Sequence, residues 1–275
     1  MKIIAVANQK GGVGKTTITR ELSATCALRG YETLVIDCDP QGNLSQSWLD
    51  TDLVEAYLSH VLILPDEQDG KKVDPLPLTE TVLTTSVNNL WIVPADIRLA
   101  RFEMQPEYLM HRLKKELEGV KDEYDLVFLD CPPQLGKLLA AALYSAEYVI
   151  VPCAADAMGL QGLADLAYTV QQIKSNVNSR LEMLGAVMNL YMANRNLSAE
   201  ARNVVEQATS LIGEVFDTNI HNYSKIAEAP SQRMAVVEYA PNHKAAEQLN
   251  NLTDEVLAKL KLGRQKMGLV KSVTK

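Results

Sequence analysis

Lys10-Gly11-Gly12-Val13-Gly14-Lys15-Thr16-Thr17 is the stretch whose reading decides the fold. It follows an apolar run, Ile3-Ile4-Ala5-Val6-Ala7, and precedes a helical pattern that starts at Thr16. A buried strand, a glycine-rich loop and a helix, in that order, give the context of a phosphate-binding loop. The glycines let successive backbone N–H groups, including that of Val13, curl around a polyphosphate without Cβ clashes. The helix start at Thr16 and Thr17 adds its partial positive charge. Lys15 can reach the β- and γ-phosphates, and the Thr16 hydroxyl can bind Mg²⁺. The bland alternative is a glycine turn that happens to hold a lysine, and the strand before and helix after weigh against it.

The rest of the chain is consistent with that start. Its 275 residues are 47% hydrophobic and 22% charged, enough for one large α/β domain with a sizeable core. Residues 1–262 read as a single nucleotide-binding domain and residues 263–275 as a basic tail. Strand-like runs at Lys2–Ala7, Thr33–Asp37, Leu90–Pro94, Leu126–Asp130, Tyr148–Val151, Leu184–Asn189 and Val215–Ile220 alternate with helical patterns. The helical patterns fall at Thr16–Leu28, Glu107–Val120, Leu135–Tyr144, Leu160–Ile173, Ala199–Ile212 and Ala245–Leu262. Such alternation predicts a mostly parallel twisted sheet flanked by helices. Asp50–Leu83 lacks periodicity and reads as an irregular, exposed excursion. No charged and then long apolar segment opens the chain, and the apolar stretch Leu138–Ala155 is broken by Glu147 and Pro152. A cytoplasmic protein is expected. The four cysteines form no C-x-x-C pair, which suggests reduced thiols rather than a metal site.

Two further segments carry carboxylates where a ligand of such a sheet is held. Leu34-Val35-Ile36-Asp37-Cys38-Asp39 ends the second strand, at the edge where the ligand crevice lies. Asp37 and Asp39 are two apart, face the same side of an extended backbone, and could share a Mg²⁺–water site. An ordinary Asp-Pro turn is the competing reading. Leu126-Val127-Phe128-Leu129-Asp130 is a buried strand that delivers one carboxylate to the metal. Many buried strands end in aspartate, so this run is weak evidence by itself.

Lys10 adds a cation that nucleotide binding alone does not require. With it, the loop resembles that of the deviant phosphate-loop (deviant Walker A) ATPases, which include ParA, MinD and the nitrogenase iron protein. Asp39-Pro40-Gln41-Gly42-Asn43 and Asp130-Cys131-Pro132-Pro133 resemble the two switch segments of ParA proteins. Met158-Gly159-Leu160-Gln161-Gly162-Leu163, Val187-Met188-Asn189 and Glu228-Ala229-Pro230-Ser231 extend the likeness over about nine-tenths of the chain. The iron-protein branch needs a cluster cysteine at position 133, which is proline. The resemblance implies an ATPase using ATP and Mg²⁺, with Lys10 crossing a homodimer interface to the partner's nucleotide. It implies that Asp39 activates the attacking water, that Thr16, Asp39 and Asp130 serve the metal, and that Asn189 and Pro230 border the adenine.

The family's usual arginine-bearing segment before the Glu-Ala-Pro-Ser motif is replaced here by Ile220-His221-Asn222-Tyr223-Ser224-Lys225, where Lys225 alone is cationic. The tail answers part of that loss. Lys259, Lys261, Arg264, Lys266, Lys271 and Lys275 contribute +6 without an acid to a chain of net charge −7, leaving −13 for residues 1–258. Non-specific duplex DNA is the expected partner of Lys225, Lys259, Lys261, Arg264 and Lys266. A solvated, frayed terminus is the plain alternative. Membrane binding is a third, weakened by Gly263 and Gly268 and by the lack of aromatics. The resemblance implies DNA partition on the nucleoid, a ParB-like partner that stimulates hydrolysis, and no N-terminal DNA-reading domain. A metabolic P-loop ligase and a membrane-site selector are the competing classes.

Overall fold

Ile3 and Ala5 of the first strand pack into one buried cluster, Ile4 and Val6 into the other. Strand neighbours alternate between faces, so burial on both sides means a sheet covered by two helical layers. The computed structural model describes residues 1–64, 74–154, 160–192, 202–203 and 205–263. Its strands are β1 (Lys2–Val6), β2 (Thr33–Asp37), β3 (Leu83–Thr84), β4 (Leu90–Val93), β5 (Leu126–Asp130), β6 (Tyr148–Ala154) and β7 (Glu182–Asn189). They form one seven-stranded sheet of order β3-β4-β2-β5-β1-β6-β7. Every pairing is parallel except β3 with β4.

The helices are α1 (Lys15–Leu28), α2 (Asn43–Trp48), α3 (Leu58–Leu62), α4 (Arg112–Gly119), α5 (Lys137–Ser145) and α6 (Leu160–Asn176). Short turns of helix then lead to a C-terminal helix, Lys244–Lys259. Ile18 and Leu22 of α1, with Leu249 and Leu252 of the C-terminal helix, bury Ile4, Val35 and Phe128. Leu113, Leu138, Leu139 and Leu166 of α4, α5 and α6 cover the opposite face. Phe128 has no exposed surface, and truncating such a residue to alanine costs about 3–5 kcal/mol. All parallel strands end at the same edge, so Val6, Asp37 and Asp130 finish side by side in register.

Four expectations change. Asp50–Leu83 is not simply an exposed excursion. Leu58, Val61, Leu62 and Leu78 join the main core, and the Leu58 amide donates to the Pro94 carbonyl at 2.8 Å; residues 65–73 of the segment lie outside the described residues. Val215–Ile220 forms no ladder with β7: Val215 makes an isolated bridge to Ala186, and the Ile220 amide donates to the Met188 carbonyl at 2.8 Å. The reason is local: Glu255 of the C-terminal helix accepts the Asp217 and Thr218 amides at 2.7 and 3.0 Å, taking the donors that a ladder would use. The helix expected at Glu107–Val120 starts as a 3₁₀ turn, Glu107–His111, before α4. Of the Ala199–Ile212 helix, residues 202–203, 205–207 and Thr209–Ile212 are helical around a turn at Ala208, and the remainder lies outside the described residues. Among the described residues no helix is long and apolar enough to cross a membrane. The four cysteines are buried free thiols.

Candidate active site

The glycine loop closes onto the start of α1 because two of its residues adopt backbone that L side chains avoid. Gly12 has φ +74 and Gly14, the helix N-cap, φ +89; a Cβ at Gly14 would collide with the Asn189 amide. Asn189, at the end of β7, donates from Nδ2 to the Val13 carbonyl at 2.9 Å. Asn8, the first polar residue after β1, is 4% exposed. It donates to the Pro152 carbonyl at 2.7 Å and accepts the Lys10 amide at 2.9 Å. The loop is thus held at both ends by buried amides from the sheet edge. Sequence reasoning missed Asn8 entirely, and it marked Asn189 only for the adenine and not for this contact with the loop.

Lys15 lies inside the curl, 7% exposed, with its ammonium 3.4 Å from the Lys10 carbonyl. Burial pushes its pKa down, and the Asp130, Cys131 and Asp39 charges oppose that fall. Thr16 donates its hydroxyl to Asp130 Oδ2 at 2.7 Å, and Thr19, one turn along α1, donates to Oδ1 at 3.2 Å. Thr19 had no motif to mark it in the sequence. Asp37 stands beside Asp130 on β2. Its carboxylate accepts the Ser45 amide at 2.9 Å, the Ser45 hydroxyl at 2.7 Å and the Asp39 amide at 3.1 Å. Asp37 therefore anchors α2 and the Asp39 turn. Asp39 is half-buried, and its own carboxylate accepts the Gln41 amide at 3.0 Å.

Burial raises the pKa of both Asp37 and Asp130. The Asp37 charge adds to the rise at Asp130, and the Thr16 and Thr19 hydroxyls and Lys15 oppose it. Two buried carboxylates in register, with one ammonium near, make a locus that favours an added cation. Mg²⁺ fits the donor set: a hydroxyl and a carboxylate from the protein suit an ion that keeps waters and takes phosphate oxygens. Among the described residues no three His, Cys, Asp or Glu gather as a metal cage. Loop amides and Lys15 would hold the terminal phosphates, and the metal would supply charge neutralisation between them.

Of the expected DNA residues, the structure describes Lys225, Lys259 and Lys261. Lys225 pairs with Glu228 at 2.7 Å and lies over the Tyr239 ring. It follows His221, which bridges Tyr191 just beyond the end of β7, so it belongs to the phosphate edge. Lys259 pairs with Glu214 at 3.0 Å. With Lys261 it borders a cleft of about 620 Å³ lined by Lys2, Tyr148 and Glu182, the first residues of β1, β6 and β7. The two sites are separated by the length of a strand, roughly 20 Å. Arg264 and Lys266 lie outside the described residues, as do Met158 and Gly159 of the Met158–Leu163 motif.

A family profile described as an AAA domain matches residues 1–183. The chain is 35% identical over 261 residues to the sporulation initiation inhibitor protein Soj of Bacillus subtilis, covering 94% of this chain and 98% of that protein. It is 36% identical over 262 residues to the chromosome-partitioning ATPase Soj of Treponema pallidum, with the same coverage of each. Among solved structures, a cobyrinic acid a,c-diamide synthase of Mycobacterium smegmatis with bound ADP and magnesium superposes with a TM-score of 0.79. That match has 26% identity and covers 95% of this chain and 96% of that one. Identity of 35–36% along nearly the whole of both Soj proteins is decisive: the chain belongs to the Soj/ParA family of P-loop ATPases.

Proposed function

We propose that this ATPase binds MgATP, closes into a homodimer and uses the closed state to partition or position DNA. The observation that carries the reading is the Thr16–Asp130 contact of 2.7 Å beside buried Lys15, under a loop whose entrance holds a second lysine, Lys10. Lys15 and the amides of Gly11 to Thr17 hold the phosphates, Thr16 and Asp130 hold the metal, and Asp39 orients the attacking water and assists at the metal. Lys10 reaches the nucleotide of the second subunit, while Pro230 and the Asn189 end of β7 border the base. Residues 1–262 act as one ATPase unit, and residues 263–275 as a basic extension.

In this reading the closed dimer binds duplex DNA through phosphate contacts on the nucleoid. A ParB-like partner then completes the switch geometry and triggers hydrolysis. The lysines at the two sheet edges act as separate contacts, because a strand length lies between them. The test is a salt-titrated DNA-binding assay with ATP, with ADP and without nucleotide, with anionic liposomes in parallel. Affinity that appears only with ATP and falls steeply with salt supports the proposal. A dimer that ignores DNA and binds liposomes replaces it with membrane-site selection, and turnover of a small carboxylate or amine substrate replaces it with a ligase.

A further inference from the structure

Arg20 and Glu21, one turn beyond the phosphate loop on α1, are 2% and 1% exposed and form an ion pair. A buried pair is costly unless further hydrogen bonds satisfy it, and the partners it has found belong to a distant segment. Arg20 donates to the Met234 carbonyl at 2.6 Å, and Glu21 accepts the Val236 amide at 2.8 Å. The guanidinium also stacks on Trp48, its carbon 4.0 Å from the ring centroid. Trp48 is the last residue of α2 and is 2% exposed. Neither Arg20 Nε nor Trp48 Nε1 has a hydrogen-bond partner, so at this point the two elements meet through the stack.

At its other end α2 begins directly after the Asp39–Gly42 turn and is fixed to buried Asp37 through Ser45. Six residues of helix make a rigid lever about 9 Å long. A shift of the Asp39 turn therefore reaches Trp48 with little loss, and packed contacts move between discrete arrangements rather than deforming smoothly. We propose that Arg20 is a positioning residue that couples the Asp39 turn, through α2 and Trp48, to the Glu228–Val236 segment beside the base. The inference rests on the proposed ATP-binding reading. It assigns to this pair more than the anchoring of α1, because anchoring requires Met234 and Val236 but not the stack on Trp48.

Backbone hydrogen exchange over residues 229–236 tests the coupling, measured with a non-hydrolysable ATP analogue and with ADP. The unaltered protein and Trp48→Phe, which keeps an aromatic face, should show about tenfold slower exchange with the ATP analogue than with ADP. Trp48→Leu leaves the Arg20–Glu21 pair and its bonds to Met234 and Val236 intact. It should lose that difference while keeping affinity for the analogue within about threefold. Arg20→Lys, which keeps the charge and gives up the planar fork, should lose it too and serves if the leucine variant fails to fold. An ATP-over-ADP difference that survives in Trp48→Leu or Arg20→Lys overturns the proposal, as does its absence in unaltered protein that binds the analogue by calorimetry. Unaltered protein that binds no analogue overturns the ATP reading instead.

Discussion

Lys15, at the C-terminal ends of the strands, is 7% exposed and held inside its own loop, whereas Lys259, at the opposite ends, keeps 31% of its side chain exposed beside Glu214. Both are lysines beside carboxylates, yet only one is fixed by the backbone. The glycine dihedrals, Asn8 and Asn189 determine where the Lys15 ammonium can go. The Lys259 pair is a surface contact worth about 0–1 kcal/mol, easily exchanged for a phosphate or for water. The contrast separates a site, where geometry precedes the ligand, from a charged surface, where the ligand has to organise the charges.

The contrast breaks most sharply if Lys15→Ala leaves ATP affinity unchanged. The expected loss is about a thousandfold by calorimetry, since a buried charge-assisted contact to phosphate disappears. Asp39→Ala sharpens it on the chemical side. Turnover should fall about a hundredfold while the ATP-bound dimer persists, and parent-like hydrolysis would move water activation to another group. Lys10→Ala should keep nucleotide binding within about threefold and weaken ATP-dependent dimerisation about thirtyfold, read by sedimentation. A normal ATP dimer would return Lys10 to the class of surface lysines. At the opposite edge, Lys259, Lys261, Arg264 and Lys266 changed to glutamate should lower DNA affinity about tenfold at moderate salt, equally for all sequences. Lys225→Ala, whose cation already has Glu228, should cost under about threefold; the reverse order would place the DNA surface at the phosphate edge.

The smallest expected effect concerns pH. Asp37 and Asp130 have raised pKa values in the folded protein, so between the ordinary carboxylate range and those values the native state binds more protons than the unfolded chain. Stability of the nucleotide-free protein should therefore fall as pH rises from about 5 to about 8. MgATP should flatten that slope by compensating both carboxylates. Thermal melts with and without MgATP at several pH values measure it, and a ligand-independent slope would detach these groups from the metal site.

Much of the phosphate edge was legible because its chemistry is local. Gly12, Gly14, Lys15 and Thr16 lie within five residues, and strand-plus-aspartate runs announce Asp37 and Asp130. Asn8, Thr19 and Ser45 were not legible, since each acts through a partner that only folding brings near: Pro152, Asp130 and Asp37. Leu58, Val61 and Leu78 escaped for a related reason, as short helical turns show no clear period even when buried. The broken pairing at Val215–Ile220 depended on Glu255, some forty residues away. Arg20 and Glu21 belong to no motif, and their burial follows from an α1 that is covered almost all round.

By itself the sequence determined the strand–loop–helix unit and the parallel sheet and marked the candidate phosphate loop, because backbone freedom at glycine and the two-residue period of strands are written in neighbouring residues. Only the tertiary structure decided which carboxylate meets Thr16, which amides clamp the loop and which lysines share a face. Those choices depend on sheet order and on which end of a strand a residue occupies. Thr16 and Asp130 are 114 residues apart in the chain and 2.7 Å apart in space, while Lys225 and Lys259, much closer in sequence, are held at opposite edges by the strand length between them.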